Sequence, residues 1–396
     1  MKDSILIFGA GELQISIIQK VKDIGFQAIV IDPNKTAPAK TVADVFIQIA
    51  GDDFEQTLNV ALQNNIKGVL TAATDHPILM MCRIAEVMKL NFPSYSSCET
   101  LLDKGKFKIF LNDNNFRHAK GKVFESIDDF DESSYSFPLI IKPVKNSGSR
   151  GVIKCESSSQ FKLAVEESLQ YCKDGHFIIE EFIEGDEISV EAIVYENIVH
   201  IIQITDKIIT NPPYNVELGH SQPSKYSYKE DEIREILQKI VSLTKFNNSA
   251  IHPEFKINSL GEICIIEMGT RLGGDYITSD LTTLSTGVDI ELLQILIATG
   301  QKINYKKMDL SSAISFFNFP EGTIINNYID EKELLSRFPE IFRVNSNLKP
   351  NQKVKKITNS LERYGYLILQ SNSLNKIIQS QTEIINFLHS KYLSND

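Results

Sequence analysis

Tryptophan is missing from the 396-residue chain, while Asn, Ile and Lys abound, a bias that reflects genome composition more than function. Cysteine is scarce. Cys82, Cys98, Cys155, Cys172 and Cys264 are scattered, odd in number and never spaced C-x-x-C, which offers no zinc site and fits a reducing cytoplasm. No apolar run approaches the roughly 20 residues that span a bilayer, so no membrane role is expected. The N-terminus, MKDSILIFGAG, enters a strand directly without a small-residue cleavage site, and no signal peptide is expected. Positive charge is in deficit. A net charge of −10 argues against a nucleic-acid surface. Hydrophobic content of 42% and charged content of 23% are those of an ordinary globular protein. The length is sufficient for two or three domains.

The densest chemistry lies in IHPEFKINSLGEICIIEMGTRLGG, Ile251 to Gly274. Two short apolar runs flank the turn Asn258-Ser259-Leu260-Gly261, so a β-hairpin is expected that brings Glu254 and Glu267 side by side. Two convergent carboxylates repel unless a cation lies between them, and magnesium takes a few carboxylates together with phosphate oxygens. Arg271 follows, beside Gly273 and Gly274, which let backbone approach a ligand. The cluster suits a metal-bound polyphosphate. The alternative is a hairpin whose acids face water.

Upstream, short apolar runs alternate with helical periodicity to about residue 98. Strands are expected at Ile5–Phe8, Ala28–Ile31 and Lys67–Ala72, and helices at about Glu12–Asp23 and Pro77–Lys89. This alternation predicts a parallel sheet with ligands at the strands' carboxyl ends. Gly9-x-Gly11 follows the first strand, but Gln14 holds the third glycine position. A tight turn with substrate contact at Gly11 is favoured over a dinucleotide site. A second block opens with LLDKGKFKIFL, expected as one helix carrying Lys104, Lys106 and Lys108. The strand Phe137–Pro143, with Lys142, then runs into Asn146-Ser147-Gly148-Ser149-Arg150-Gly151. After a helix at Gln160–Tyr171 come the strand His176–Glu180 and EEFIEGDE, from Glu180 to Glu187. A smaller α/β segment fills about 310–396. No internal repeat or low-complexity linker occurs.

The order of these features (lysine helix, Lys142 strand with Ser/Gly loop, EEFIEGDE, Glu254…Glu267…Arg271) resembles the ATP-grasp superfamily of carboxylate–amine ligases up to about residue 300. The N-terminal block looks like the substrate-side domain preceding the grasp fold in biotin carboxylase, carbamoyl-phosphate synthetase and purine-pathway members. The C-terminal segment, with NLKPNQKV…ERYGYLI, is similar to the closing domain of L-amino-acid ligases. The resemblance implies an α/β (α+β grasp) architecture: a Rossmann-like domain at 1–98, an ATP-grasp domain at 99–305 with a lid at about 120–190, and a closing domain at 306–396.

For the residues, the resemblance implies ATP with Mg2+, or Mn2+ in its place. Lys142 and either Lys104 or Lys106 would hold the phosphates. The Ser147–Gly151 loop, through Ser147, Gly148, Ser149 and Gly151, would fold over them as an anion-binding concavity; a mobile surface turn is its plain alternative. Glu180 would take the adenine amino group, the backbone of Glu181 and Ile183 the same edge, and Glu187 the ribose hydroxyls. Glu254 and Glu267 would bind metal, although Gly269 stands where the family usually has a third, asparagine ligand. Arg271 would stabilise the transferred phosphoryl group. Asp75 would hold a substrate amine or cap a helix. His220, read on a Pro-rich loop with Lys207, would gate the acceptor or serve structure, and His252 would support Glu254 or pack in the core.

The expected reaction joins a small-molecule carboxylate and an amine through an acyl-phosphate, in a homodimer. Rival expectations are phosphorylation of bicarbonate or carbamate, a nicotinamide-dependent oxidoreductase, and a non-catalytic nucleotide-binding protein.

Overall fold

A computed structural model describes residues 2–394 except Asn146, Ser147, Ser149, Lys173, Asp174, 211–213 and Asn215. The first sheet is parallel: β1 (Ser4–Phe8), β2 (Gln27–Asp32), β3 (Val45–Gln48) and β4 (Ile66–Leu70), in the order β3-β2-β1-β4. β1 is SILIF, buried at every position, as a strand covered on both faces must be. The helices Ile15–Asp23, Phe54–Gln63 and Ile78–Met88 connect its strands and follow β4. The β3 strand and the helix after it, whose patterns are short and mixed, are additions to the sequence reading.

A second, antiparallel sheet of order β5-β8-β6-β7 is built from β5 (Gly121–Phe124), β6 (Leu139–Pro143), β7 (Ile153–Cys155) and β8 (Phe177–Glu181). The helix Ser158–Leu169 covers one face, and Phe124, Leu139, Ile141, Phe161 and Phe177 form its own small core. The other face carries Lys142 and Glu180.

The largest sheet is antiparallel throughout: β9 (Asp186–Tyr195), β10 (Ile198–Ile209), β11 (Glu217–Gln222), β12 (Ser249–Ile257), β13 (Ile263–Gly269), β14 (Ser311–Phe316), β16 (Ile341–Ser346) and β17 (Gly365–Ser371). Their order is β13-β12-β9-β10-β11-β14-β17-β16. A small pair, β15 (Ile324–Ile325) with β18 (Leu393–Ser394), lies apart from it. β9 and β10 turn through Glu196 and Asn197, both at positive φ (52° and 64°), a two-residue hairpin matched to strand twist. Of the strands after residue 306, β14, β16 and β17 extend this sheet through the pairing of β14 with β11.

Two differences matter for the site. LLDKGKFKIFL is not one helix: Asp103 ends Tyr95–Leu102 and caps Lys104–Asp113, its carboxylate accepting from the N–H groups of Gly105 (2.9 Å) and Lys106 (3.0 Å). His220 is not on a loop. It lies on β11, buried between β10 and β14, where the ladder to Ile314 and Lys207 decides over the neighbouring prolines. Among the described residues no single helix is long and apolar enough to cross a membrane.

Candidate active site

The β12–β13 ladder sets Glu254 directly opposite Glu267. The two open into a cavity of about 430 Å³ lined also by Asp75, Lys104, Lys142, Glu180, Glu187, Lys207 and Arg271. A second cavity of about 620 Å³ adjoins it, sharing Asp75, Lys104, Lys142, Glu180 and Glu267. Three sheets and the helix at Lys104 therefore converge on one place.

Lys104, at the first position of its helix, reaches Glu267 at 3.3 Å. Burial opposes its charge, but Glu267 and Asp75 outweigh it and raise its pKa. Lys106, half a turn round, points outward to Glu99 at 2.8 Å. Lys108, four residues from Lys104 and hence on the same face, is buried and donates to the Ala119 carbonyl (2.9 Å) and Glu180 (2.7 Å). The other oxygen of Glu180 takes Lys142 from the neighbouring strand. Burial works against the Glu180 carboxylate, yet Lys142 and Lys108 hold its pKa at about 2. Burial, with Lys142 adding repulsion, outweighs Glu180 at Lys108 and lowers that lysine's pKa. Both carboxylate oxygens of Glu180 are thus engaged by lysines.

Lys207 projects from β10 into three carboxylates: Glu187 at 2.7 Å, Glu254 at 2.9 Å and Glu217 at 3.6 Å. Only 3% of its side chain is exposed. Burial notwithstanding, Glu187 and Glu254 raise its pKa well above the usual lysine range, and Lys207 with His252 holds Glu254 well below the carboxylate range. His252 does support Glu254, with Nε2 at 3.6 Å, while Nδ1 meets the buried Glu191 at 2.8 Å. Burial would discharge this imidazole, but Glu191 and Glu254 push its pKa to about 9. Gly273 packs here: a Cβ would lie 2.8 Å from both Glu191 and His252, so its place is set by close packing. Gly274 lines the cavity.

Arg271 is gripped by Asp75 through two 3.0 Å bonds and donates to the Leu272 carbonyl at 3.1 Å. A backbone bridge between Ala72 and Leu272 brings these loops together. Asp75 caps no helix, since the following helix starts after Pro77 without a side-chain cap. At the Gly9–Gly11 turn, buried Gln14 fills the space: a Cβ on Gly11 would lie 2.8 Å from its amide oxygen. Leu13, not Gly11, lines the cavity.

At the far wall, Arg363 holds Asp275 by two 2.7 Å bonds and stacks 3.6 Å over Phe316. His220 Nε2 is 3.4 Å from the same carboxylate. Asp275 and Tyr276 both sit at positive φ (49° and 59°), strain often kept where a site needs it. Of the glycine loop, Gly148 lines the cavity and Gly151 has φ +74°; Ser147 and Ser149 lie outside the described residues. Glu181 and Ile183 line the cavity at the β8 end. Lys108, Glu217, Asp275 and Arg363 had no assigned role in the sequence. Helical spacing from Lys104 was the available signal for Lys108, and the ERYGYLI pattern contained Arg363.

The chain is 22% identical over 335 residues to the 2-oxoglutarate carboxylase small subunit of Hydrogenobacter thermophilus, covering 78% of this chain and 69% of that protein. It also matches the carbamoyl phosphate synthase large chain of Thermoanaerobacter at 20% identity, spanning 29% of its length. The structure of an L-amino acid ligase from Bacillus licheniformis superposes with a TM-score of 0.80 at 18% identity, covering 100% of this chain and 99% of that one. The biotin carboxylase domain dimer of the Hydrogenobacter enzyme, solved with MgADP, ADP and bicarbonate, superposes at 0.73 with 19% identity, covering 99% and 90%. At such identities structural likeness establishes the fold. The family described as ATP-grasp domain matches residues 135–280, and the chain therefore carries an ATP-grasp domain.

Proposed function

We propose that the chain is an ATP-dependent, ADP-forming carboxylate–amine ligase. The observation that carries this reading is the meeting, in one cavity, of the opposed Glu254 and Glu267 with Lys104, Lys142, Lys207 and Arg271. A carboxylate oxygen of the substrate attacks the γ-phosphorus of ATP and ADP leaves. The amine then attacks the acyl carbon, loses a proton and expels phosphate. No side-chain nucleophile is required, so positioning and charge neutralisation supply the catalysis.

A divalent cation fits the acids. Glu254 and Glu267 offer oxygen donors only, and among the described residues no group of three or more His, Cys, Asp or Glu could form a cage around a metal. Mg2+ matches that provision because it takes one or two carboxylates and fills its remaining positions with phosphate and water; Mn2+ has similar demands. Once bound, it would neutralise developing charge on the phosphates. Lys104 and Lys142 hold the phosphates in the cavity that Gly148 lines, and Arg271, oriented by Asp75, faces the transferred phosphoryl group. Glu187 takes the ribose. Since Glu180 already binds two lysines, base recognition falls to the backbone of Glu181 and Ile183. The acceptor would occupy the end formed by Asp75, Gly274, Glu217 and His220. A homodimer is proposed from the likeness to the biotin carboxylase domain dimer and would be read by sedimentation.

The test is ADP and phosphate release from Mg-ATP against pools of amino acids, other carboxylates, bicarbonate and amines. Release that requires both a carboxylate and an amine is expected. Release with bicarbonate alone would favour the second reading, phosphorylation of bicarbonate, which the similarity to 2-oxoglutarate carboxylase supports. No release in any pool would count against an enzyme.

A further inference from the structure

Lys104, Lys142, Lys207, Arg271 and Arg363 each enter the cavity already paired with a carboxylate. Lys256 also lines the cavity, half-buried, yet among the described residues its ammonium makes no ion pair and no hydrogen bond. Its cross-strand neighbour Glu187 has turned to Lys207 at 2.7 Å. What Lys256 does touch is the ring of Phe182, at 4.7 Å, and Lys154 lies 4.2 Å from the same ring. Lys154 has Glu156 at 2.9 Å. Two ammonium groups sharing one aromatic ring repel each other, so the stacking does not account for the second of them. The nearby carboxylates act on Lys256 only from a distance, since Glu187 is bound by Lys207 and Asp186 by Lys225 and Tyr226, and a half-buried cation with no direct partner is costly unless a ligand completes it.

The position of Lys256 says which part of a ligand it meets. It lies two residues beyond Glu254 on β12, about 6.8 Å along the strand, and moves away from the metal carboxylates toward Phe182. Its neighbours there are Glu187 and the Glu181–Ile183 strand end. We infer that Lys256 binds the nucleotide at its ribose–base junction, donating from its ammonium to acceptor atoms of the sugar and of the base's sugar edge. This rests on the nucleotide reading proposed above. Lysine donates only, so Lys256 complements Glu187, whose carboxylate accepts from the hydroxyls.

The experiment uses the full chain as wild type and as Lys256→Met, a variant that keeps a flexible apolar stem against Phe182. Affinities for Mg-ATP and for Mg-tripolyphosphate, which has no sugar or base, are measured by displacement of a fluorescent ATP analogue. Circular dichroism and melting confirm that the variant folds. Lys256→Met is expected to lose about tenfold in affinity for Mg-ATP and to leave tripolyphosphate unchanged. Unchanged ATP affinity would reduce Lys256 to a stacking partner of Phe182, and equal losses for both ligands would place it on the phosphates; either result overturns the inference. Failure of the wild type to bind ATP at all would overturn the nucleotide reading itself, before the variant is compared.

Discussion

Replacing Glu180 by glutamine removes the single negative charge between Lys142 and Lys108 while keeping the shape of the side chain. Both oxygens of Glu180 are engaged and its side chain is 7% exposed, so water screens the interaction little. The carboxyl falls from 4.5 to about 2 on folding, which corresponds to about 3 kcal/mol at 1.36 kcal/mol per pH unit. The two lysines bear a desolvation cost of their own, and deleting only the carboxylate leaves that cost in place. Glu180→Gln should therefore lose about 3 kcal/mol of stability at pH 7. The sign of the pH dependence follows from the depressed folded value. The stabilisation is present in full above the unfolded pKa near 4.5 and fades as pH falls through about 2, so the gap between wild type and variant should shrink to about 1 kcal/mol at pH 3. Urea unfolding followed by far-ultraviolet circular dichroism suits a chain without tryptophan. A gap well under 1 kcal/mol at pH 7, or one indifferent to pH, would refute the reasoning.

Three more outcomes are expected. Glu267→Gln should cut ADP formation at least about a hundredfold with an unchanged circular dichroism spectrum, and normal turnover would remove Glu267 from the metal. Asp75→Asn should lower kcat about tenfold or more with little change in KM for ATP, because a charged two-pronged grip orients Arg271; an unaltered kcat would show that the grip is only structural. Lys207→Met should bind Mn2+ about tenfold more tightly in the absence of nucleotide, about 1.4 kcal/mol, since the ammonium now competes for Glu254. Electron paramagnetic resonance of free Mn2+ would read the change, and equal or weaker binding would deny the competition.

The strands and helices that place the site were legible where one period dominated: the buried run at Ile5–Phe8, the helix ending at Met88, the hairpin carrying Glu254 and Glu267. The opposition of the two glutamates followed from a short turn between matched strands, a local matter. What the sequence concealed was tertiary. Whether Lys104 or Lys106 enters the cavity depends on Asp103 ending one helix and capping the next, which turns the following lysines by a fixed angle. His220 looked like a loop residue because prolines and small residues surround it, yet pairing on both sides makes it a buried strand position. The partners of Glu180, Arg271 and Asp275 come from segments far away in the chain. No spacing rule reaches from Asp75 to Arg271, or from Asp275 to Arg363.

The ion pairs of the cavity also say how it can accept so highly charged a ligand. Acids and bases are interleaved, with Lys104 on Glu267, Lys207 on Glu254 and Glu187, and Arg271 on Asp75. A cluster of bare lysines would repel itself, and one of bare carboxylates likewise; interleaved, each neutralises the other at tolerable desolvation cost. A metal–polyphosphate complex can then enter by exchange. On the proposed reading, Lys104 would trade carboxylate for phosphate and the glutamates would trade ammonium for metal, so that opposite-charge contacts are kept. Metal alone would strand the lysines, and polyphosphate alone would strand the glutamates. Each should therefore bind more weakly by itself than in the presence of the other, and the two enhancements must be equal by linkage. The unpaired Lys256 stands outside this exchange, beyond the phosphates, where a nucleotide still has acceptors to offer.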